Sequence, residues 1–262
     1  MQSKGGGTKP LPLEHFSVSS ISLFLRCPRQ WQERYIIGRP QPSNSSLVIG
    51  SAVHLALSRI LNEEIEGPYF DEAVAEHQGK GTGEIIWKDS PSASYDIASR
   101  HVENYINLVA PFLGPVLRTE HEFYLDIKDV PIPCKGFIDL ETETKIVDYK
   151  TTGYFNRKVT PNPEWKFQLK TYQLVVPKDA EIHVLTRSPK FPISTPSSTD
   201  DPLYLSAPLA TSGMEQYLRQ MYFTIEDYWK RWGESPWPGN AVHSWAAKYC
   251  GVADCCHVDR MR

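Results

Sequence analysis

Residues 136–152 read GFIDLETETKIVDYKTT, two apolar runs either side of the polar segment Glu141-Thr142-Glu143-Thr144. Short runs rich in β-branched and aromatic residues, bounded by a polar turn, read as two strands of a hairpin. Side chains alternate faces along a strand, so Asp148 and Lys150 project together while Val147 and Tyr149 project oppositely. With the turn centred on residues 141–144, Asp139 falls opposite Ile146, on the surface that carries Asp148 and Lys150. Two carboxylates converging there supply hard oxygen ligands for a divalent cation, which can bind a phosphate oxygen and lower the pKa of its water. A lysine beside them can steady an attacking water or offset charge developing on a phosphate, and is a poor ligand while protonated.

A third strand precedes the hairpin over residues 120–127, and the hairpin strands cover 132–140 and 145–151. Upstream the spacing is helical over residues 20–37, broken at Pro28 and capped by Ser19 or Ser20, then over 47–61, 69–78 and 92–110. Downstream, Pro163 opens a helix through residue 176, residues 181–186 alternate as a strand, and 212–232 return to helical spacing. Helices followed by alternating strand and helix give an α/β class. The expected layout is a flexible lead-in over residues 1–16 and one domain over 17–235. Within it lie a helical part (17–112), a catalytic sheet with its following helix (118–187) and a last helix (212–232). A cysteine-containing segment, 236–262, is expected to pack back on the domain.

With 262 residues, 40% of them apolar and 11% aromatic, the chain can fill a substantial core. A formal charge of -3 excludes a globally basic field, so any polyanion site must be local. Between Lys145 and Tyr172 six basic residues face two acidic ones, which marks the place. The apolar stretches fall short of the ~18–20 residues that span a bilayer and MQSKGGGTKP lacks an apolar signal core, so a soluble, cytoplasmic protein with no membrane partner is expected. Five cysteines, at 27, 134, 250, 255 and 256, are an odd number unlike a disulfide framework.

Taken singly, these residues have bland readings. Asp148 and Lys150 also fit a solvated ion pair on an edge strand, and His54 a histidine of an amphipathic helix. Glu120 and Glu122 fit strand-edge carboxylates and are left outside the ligand set. Gln168 and Tyr172, at i,i+4 spacing, share one helix face that can meet a phosphate backbone or stack a base, while Trp165 and Phe167 read as core.

Taken in order, five motifs resemble the RecB-like branch of the PD-(D/E)XK nuclease superfamily. They are Ser20-Ile21-Ser22-Leu23-Phe24-Leu25-Arg26-Cys27-Pro28, Gly50-Ser51-Ala52-Val53-His54, Gly136-Phe137-Ile138-Asp139, Val147-Asp148-Tyr149-Lys150-Thr151-Thr152, and the Q-x-x-x-Y-like Gln168-Leu169-Lys170-Thr171-Tyr172. The resemblance implies a restriction-endonuclease-like core, a central mixed sheet flanked by helices, with an N-terminal helical region. It implies that His54, Asp139, Asp148 and the Tyr149 carbonyl bind Mg²⁺ or Mn²⁺, that Lys150 acts in catalysis with Asp148 and Asp139, and that Gln168, Tyr172 and Lys170 meet DNA. The implied activity is a metal-dependent DNA exonuclease of recombination, repair or phage DNA processing, in a bacterial or phage-infected cell. A recombinase, helicase or single-strand-binding protein is the implied partner. The rival readings are a CRISPR-adaptation-type nuclease of the same superfamily and a non-catalytic DNA-binding subunit on the nuclease fold.

Some members of that branch hold an iron-sulfur cluster on one N-terminal and three C-terminal cysteines, and Cys27 with Cys250, Cys255 and Cys256 resembles this layout. The trio departs from C-x2-C-x5-C, because Ala247 stands in its first place. A degenerate cluster, zinc on these cysteines or His257, and a simple buried Cys27 all stay open.

Overall fold

The computed structural model describes residues 10–64, 67–152, 163–186 and 213–240. Taken over these, the chain divides into two compact units, Met1–Arg39 with Tyr124–Lys135 and Ser212–Arg262, and Pro40–Phe123 with Gly136–Thr211.

In the first unit, helix α1 (Val18–Arg26) starts at a capping box: Ser17 accepts the Ser20 N–H and Ser20 Oγ accepts the Ser17 N–H. The cap is thus Ser17 rather than Ser19 or Ser20, because Ser20 is needed three residues into the helix to return the bond. Pro28 breaks the helical run as its missing N–H and fixed φ require: Cys27 is extended, and Pro28 opens α2 (Pro28–Tyr35). Helix α7 (Gly213–Trp232) buries Leu218, Met221, Tyr222, Ile225 and Trp229 at helical spacing. Trp237 stacks on Trp31 with centroids 5.3 Å apart, and Phe24 meets both rings edge-on. Burial begins before residue 17, since Leu11 and Phe16 are already inside and Phe16 bridges to Cys134.

The second unit holds the sheet. Helix α3 (Ser45–Leu61) is capped by Asn44 Oδ1, and packs with α4 (Tyr69–Gln78) and α5 (Pro91–Leu108). A 3-10 turn (Ala110–Phe112) leads to β3 (Val116–Leu125), followed by β4 (Cys134–Thr142), β5 (Lys145–Thr152), α6 (Pro163–Val175) and β6 (Asp179–Thr186). The strand order is β3-β4-β5-β6, with β4 and β5 antiparallel and β5 and β6 parallel through α6. This is the expected mixed sheet flanked by helices. Val48, Val53 and Leu57 of α3 and Tyr105 of α5 bury one side of it against Leu140, Val147, Tyr149 and Leu185. A two-residue parallel pair, β1 (Ser43–Asn44) with β2 (Ile85–Ile86), was invisible to periodicity because two residues carry none.

Two local expectations are corrected. Glu141, not Asp139, pairs with Ile146, because Thr142 Oγ1 bonds both the N–H and the carbonyl of Lys145 and closes a tighter turn. A shift of two residues keeps every side chain on its face. On α6 the buried positions are Leu169, Thr171, Tyr172 and Gln173, so Trp165 and Phe167 are half-buried rather than core. No helix among the described residues is long and apolar enough to cross a membrane.

Candidate active site

His54, Glu120, Asp139, Asp148, Tyr149, Lys150, Gln168, Lys170 and Tyr172 all lie in the second unit. The recorded β4–β5 register stops at Leu140 and Val147, and beyond it Asp139 enters the gap between the strands. There Asp139 Oδ2 accepts the Tyr149 N–H at 2.5 Å, a side chain taking a ladder bond that a backbone carbonyl would otherwise accept. His54 comes from α3, which runs close to β5: a Cβ at Gly50, four residues earlier, would make an ordinary van der Waals contact with Thr151 Oγ1 at 3.4 Å. His54 Nδ1 lies 3.3 Å from Asp139 Oδ1 and 3.7 Å from Glu120 Oε1.

His54, Glu120 and Asp139 offer ligand atoms that all fall within 4.8 Å of one another. Ligands on opposite sides of a Mg²⁺-sized cation lie about 4.2 Å apart, twice a ~2.1 Å bond, so the three need only a small contraction to share one ion. An imidazole with two carboxylates is a donor set for a divalent metal. Electrostatics support the fit. Burial opposes charge on His54, yet Asp139, and Glu120 after it, raise its pKa to about 10. Burial also opposes charge on Asp139, but His54, then Lys150 and the Tyr149 N–H, hold it below the usual carboxylate range. A protonated His54 therefore sits where a bound cation's charge belongs.

Asp148 stands beside this cluster rather than in it. Its Oδ2 is 2.5 Å from Lys150 Nζ, both groups are largely enclosed, and burial pushes the Asp148 carboxyl up against the pull of Lys150. Tyr149 points away from them, its ring packed edge-on against those of His54 and Tyr105 at 5.6 and 5.1 Å. Tyr105 in turn bonds His183 at 2.8 Å, so the peptide that carries the Tyr149 carbonyl is held from behind.

On α6, Gln168 Nε2 donates to the Tyr172 hydroxyl at 2.5 Å. Tyr172 is buried, its ring edge-on to Phe123 at 5.5 Å, so it steadies Gln168 rather than offering a stacking face. Gly136, in the first motif of the hairpin, makes this packing possible, since a Cβ there would lie 2.4 Å from Phe123 Cζ. Lys170 is half-buried on the same helix. The local basic excess is weaker than a count of residues implies, because Lys145 is paired with Glu181 and Lys150 with Asp148. Arg157 and Lys158 lie outside the described residues.

Glu120 is the residue that sequence reasoning set aside. Its φ is +46°, a left-handed conformation rare for a glutamate. Arg118 and His121, which simple alternation would place on opposite faces, both approach Glu141, while Thr119 and Glu120 both face α3. The alternation of β3 breaks between Thr119 and Glu120, as it does at a bulge, and the break turns the Glu120 carboxylate into the cluster. Its one signal in the sequence is a glutamate in the strand beside the motif strand.

Cys27 is buried in the first unit, with the Asn240 N–H 3.5 Å from its Sγ. Cys250, Cys255, Cys256 and His257 lie outside the described residues, and so does the question of a cluster. Cys134 is fully buried and burial pushes its thiol up to about 12.

The sequence profile of the PD-(D/E)XK nuclease superfamily matches residues 15–257, nearly the whole chain. The chain belongs to the PD-(D/E)XK nuclease superfamily. In fold it resembles an exonuclease-named protein from Eubacterium rectale, with a TM-score of 0.52 at 13% identity over 82% of each chain. An alkaline exonuclease from Laribacter hongkongensis matches over 76% of this nuclease and 96% of its own chain, at 13% identity and a TM-score of 0.31. No curated protein matches the chain. Asp139, Asp148 and Lys150 all lie within the matched span.

Proposed function

We propose that this nuclease is a divalent-metal-dependent DNA exonuclease of the RecB-like branch, acting in recombination, repair or phage DNA processing. The observation that carries the reading is the convergence of His54, Glu120 and Asp139 within 4.8 Å, next to the Asp148–Lys150 pair. These three residues, with Asp148 and the Tyr149 carbonyl, would hold Mg²⁺ or Mn²⁺. The metal, when bound, supplies a Lewis acid for a phosphate oxygen and makes water a nucleophile at neutral pH. His54 would bind the metal as the neutral imidazole, and Asp139 is kept in place by the Tyr149 N–H. Lys150 moves its charge from Asp148 toward the attacked phosphate, offsetting the negative charge that builds there. Gln168, fixed by Tyr172, and Lys170 lie on the helix that follows β5 and would follow the backbone of the strand being cut.

End-labelled single- and double-stranded DNA incubated with Mn²⁺ or Mg²⁺ tests this. Wild type should release short products progressively from an end, and Asp148→Ala should not. Equal degradation by both removes the proposed centre, and binding without cleavage by wild type assigns the chain to DNA-binding subunits on the nuclease fold.

A further inference from the structure

The bulge that aims Glu120 has its own fastening. His54, Ser58 and Asn62 follow one another at i, i+4 and i+8, forming a stripe along α3 that ends on its C-cap residue. The first member of the stripe faces Glu120, and the other two grip the residue before it. Thr119 Oγ1 accepts from Asn62 Nδ2 at 2.7 Å, lies 2.8 Å from Ser58 Oγ, and donates to the Ser58 carbonyl at 3.3 Å. A hydroxyl has one hydrogen and two acceptor positions, so these three partners use its whole capacity. The next residue is Glu120, whose φ of +46° is a conformation that a glutamate does not hold without restraint.

We propose that Thr119, held by Ser58 and Asn62, is a positioning residue for the metal centre: the clamp keeps β3 bulged and so keeps the Glu120 carboxylate against His54 and Asp139. The proposal rests on the reading of Glu120 as a ligand. Thr119 touches neither the cluster nor substrate; it acts through the backbone that it shares with Glu120. The physical cause is the placement of two contacts on consecutive residues facing the same helix. In a regular strand Thr119 and Glu120 would face opposite ways, and only the bulge lets both meet α3. When the clamp is lost, β3 can relax toward alternation and Glu120 turns away from the cluster. Because α3 also carries His54, the clamp ties one ligand to the helix of another, over two turns of that helix.

A double-mutant cycle on the full metal-free chain, read by electron paramagnetic resonance of free Mn²⁺ without DNA, tests the clamp. Thr119→Val removes the hydroxyl at nearly constant shape, and Glu120→Gln removes the ligand charge itself. Thr119→Val should weaken Mn²⁺ binding by about tenfold, the low end for a residue that orients a ligand, and Thr119→Ser should restore it. In the Glu120→Gln background Thr119→Val should change nothing, because there is no carboxylate left to aim. Thr119→Val binding as wild type, or weakening both backgrounds by one factor, overturns the clamp and leaves the metal centre standing. Glu120→Gln binding Mn²⁺ as wild type overturns the ligand role and the clamp together. Should Thr119→Val fail to fold, Ser58→Ala and Asn62→Ala, each removing one grip from the α3 side, take its place in the same cycle.

Discussion

Replacing Gly136 with alanine isolates a purely steric effect. The backbone at Gly136 is not in the left-handed region, so an alanine meets no conformational penalty and the cost comes from the methyl group alone. That methyl would sit 2.4 Å from Phe123 Cζ and 2.7 Å from Cε1, against a contact distance of about 3.5–4.0 Å between carbons. Phe123 is buried, and the Tyr172 ring stands behind it at 5.5 Å, so the overlap of more than an ångström is shared by a packed stack rather than by a free side chain. Overpacking of this kind costs about 1–3 kcal/mol, and the tight surroundings argue for the upper half of that range. At roughly 2–4 °C per kcal/mol for a chain of this size, Gly136→Ala should melt roughly 4–12 °C below wild type. The same shift moves the Tyr172 phenol that Gln168 holds, so the affinity for a single-stranded oligonucleotide should fall while Mn²⁺ binding stays. Adding Phe123→Leu should recover most of the melting temperature, because the smaller side chain vacates the space that the methyl needs. A Gly136→Ala protein that melts within about a degree of wild type, or gains nothing from Phe123→Leu, would refute the steric account.

Lys150→Ala should retain Mn²⁺ binding and lose roughly 10²–10³-fold in cleavage, since the lysine is a charge partner rather than a ligand; single-turnover assays at saturating metal separate the two. Glu141 is buried with Lys178 Nζ at 2.8 Å and Arg118 Nη2 at 2.7 Å. Burial opposes its charge, but Lys178 and Arg118 together hold it below the usual range. Its contribution to stability is therefore complete above the ordinary carboxylate pKa and is lost as pH falls through the depressed value. Glu141→Gln should lower the melting temperature at neutral pH and flatten the acid limb of the stability curve; identical acid limbs would contradict the assignment. Gln32 accepts the Trp237 N–H at 2.9 Å and donates to the Ser235 carbonyl at 2.8 Å inside the first unit. Gln32→Leu should cost about 1–3 kcal/mol for each buried group that it leaves unpaired, measured by urea denaturation, with a shift in tryptophan emission from the Trp31–Trp237 stack.

Much of the fold was legible because it rests on local quantities. The β-branched and aromatic run at 145–151 and the helical spacing at 69–78 are properties of the local chain, and reading them needs no knowledge of what they pack against. Pro28 and Pro163 were legible for the same reason, since a missing N–H acts wherever the residue stands. The finer geometry was not legible: the turn closed two residues tighter through a Thr142 side chain, and α6 turned Trp165 and Phe167 partly outward.

The site divides along the same line. By itself the sequence determined that Asp148 and Lys150 would share one face of β5, because alternation is a property of the strand alone. Only the tertiary structure decided which groups meet. It seated Asp139 on the Tyr149 N–H, brought His54 across from α3, left Asp148 paired with Lys150, and admitted Glu120 through a bulge that no periodicity records. A bulge inserts one residue without changing composition or spacing elsewhere, and its cause lies in Ser58 and Asn62, some sixty residues away along the chain.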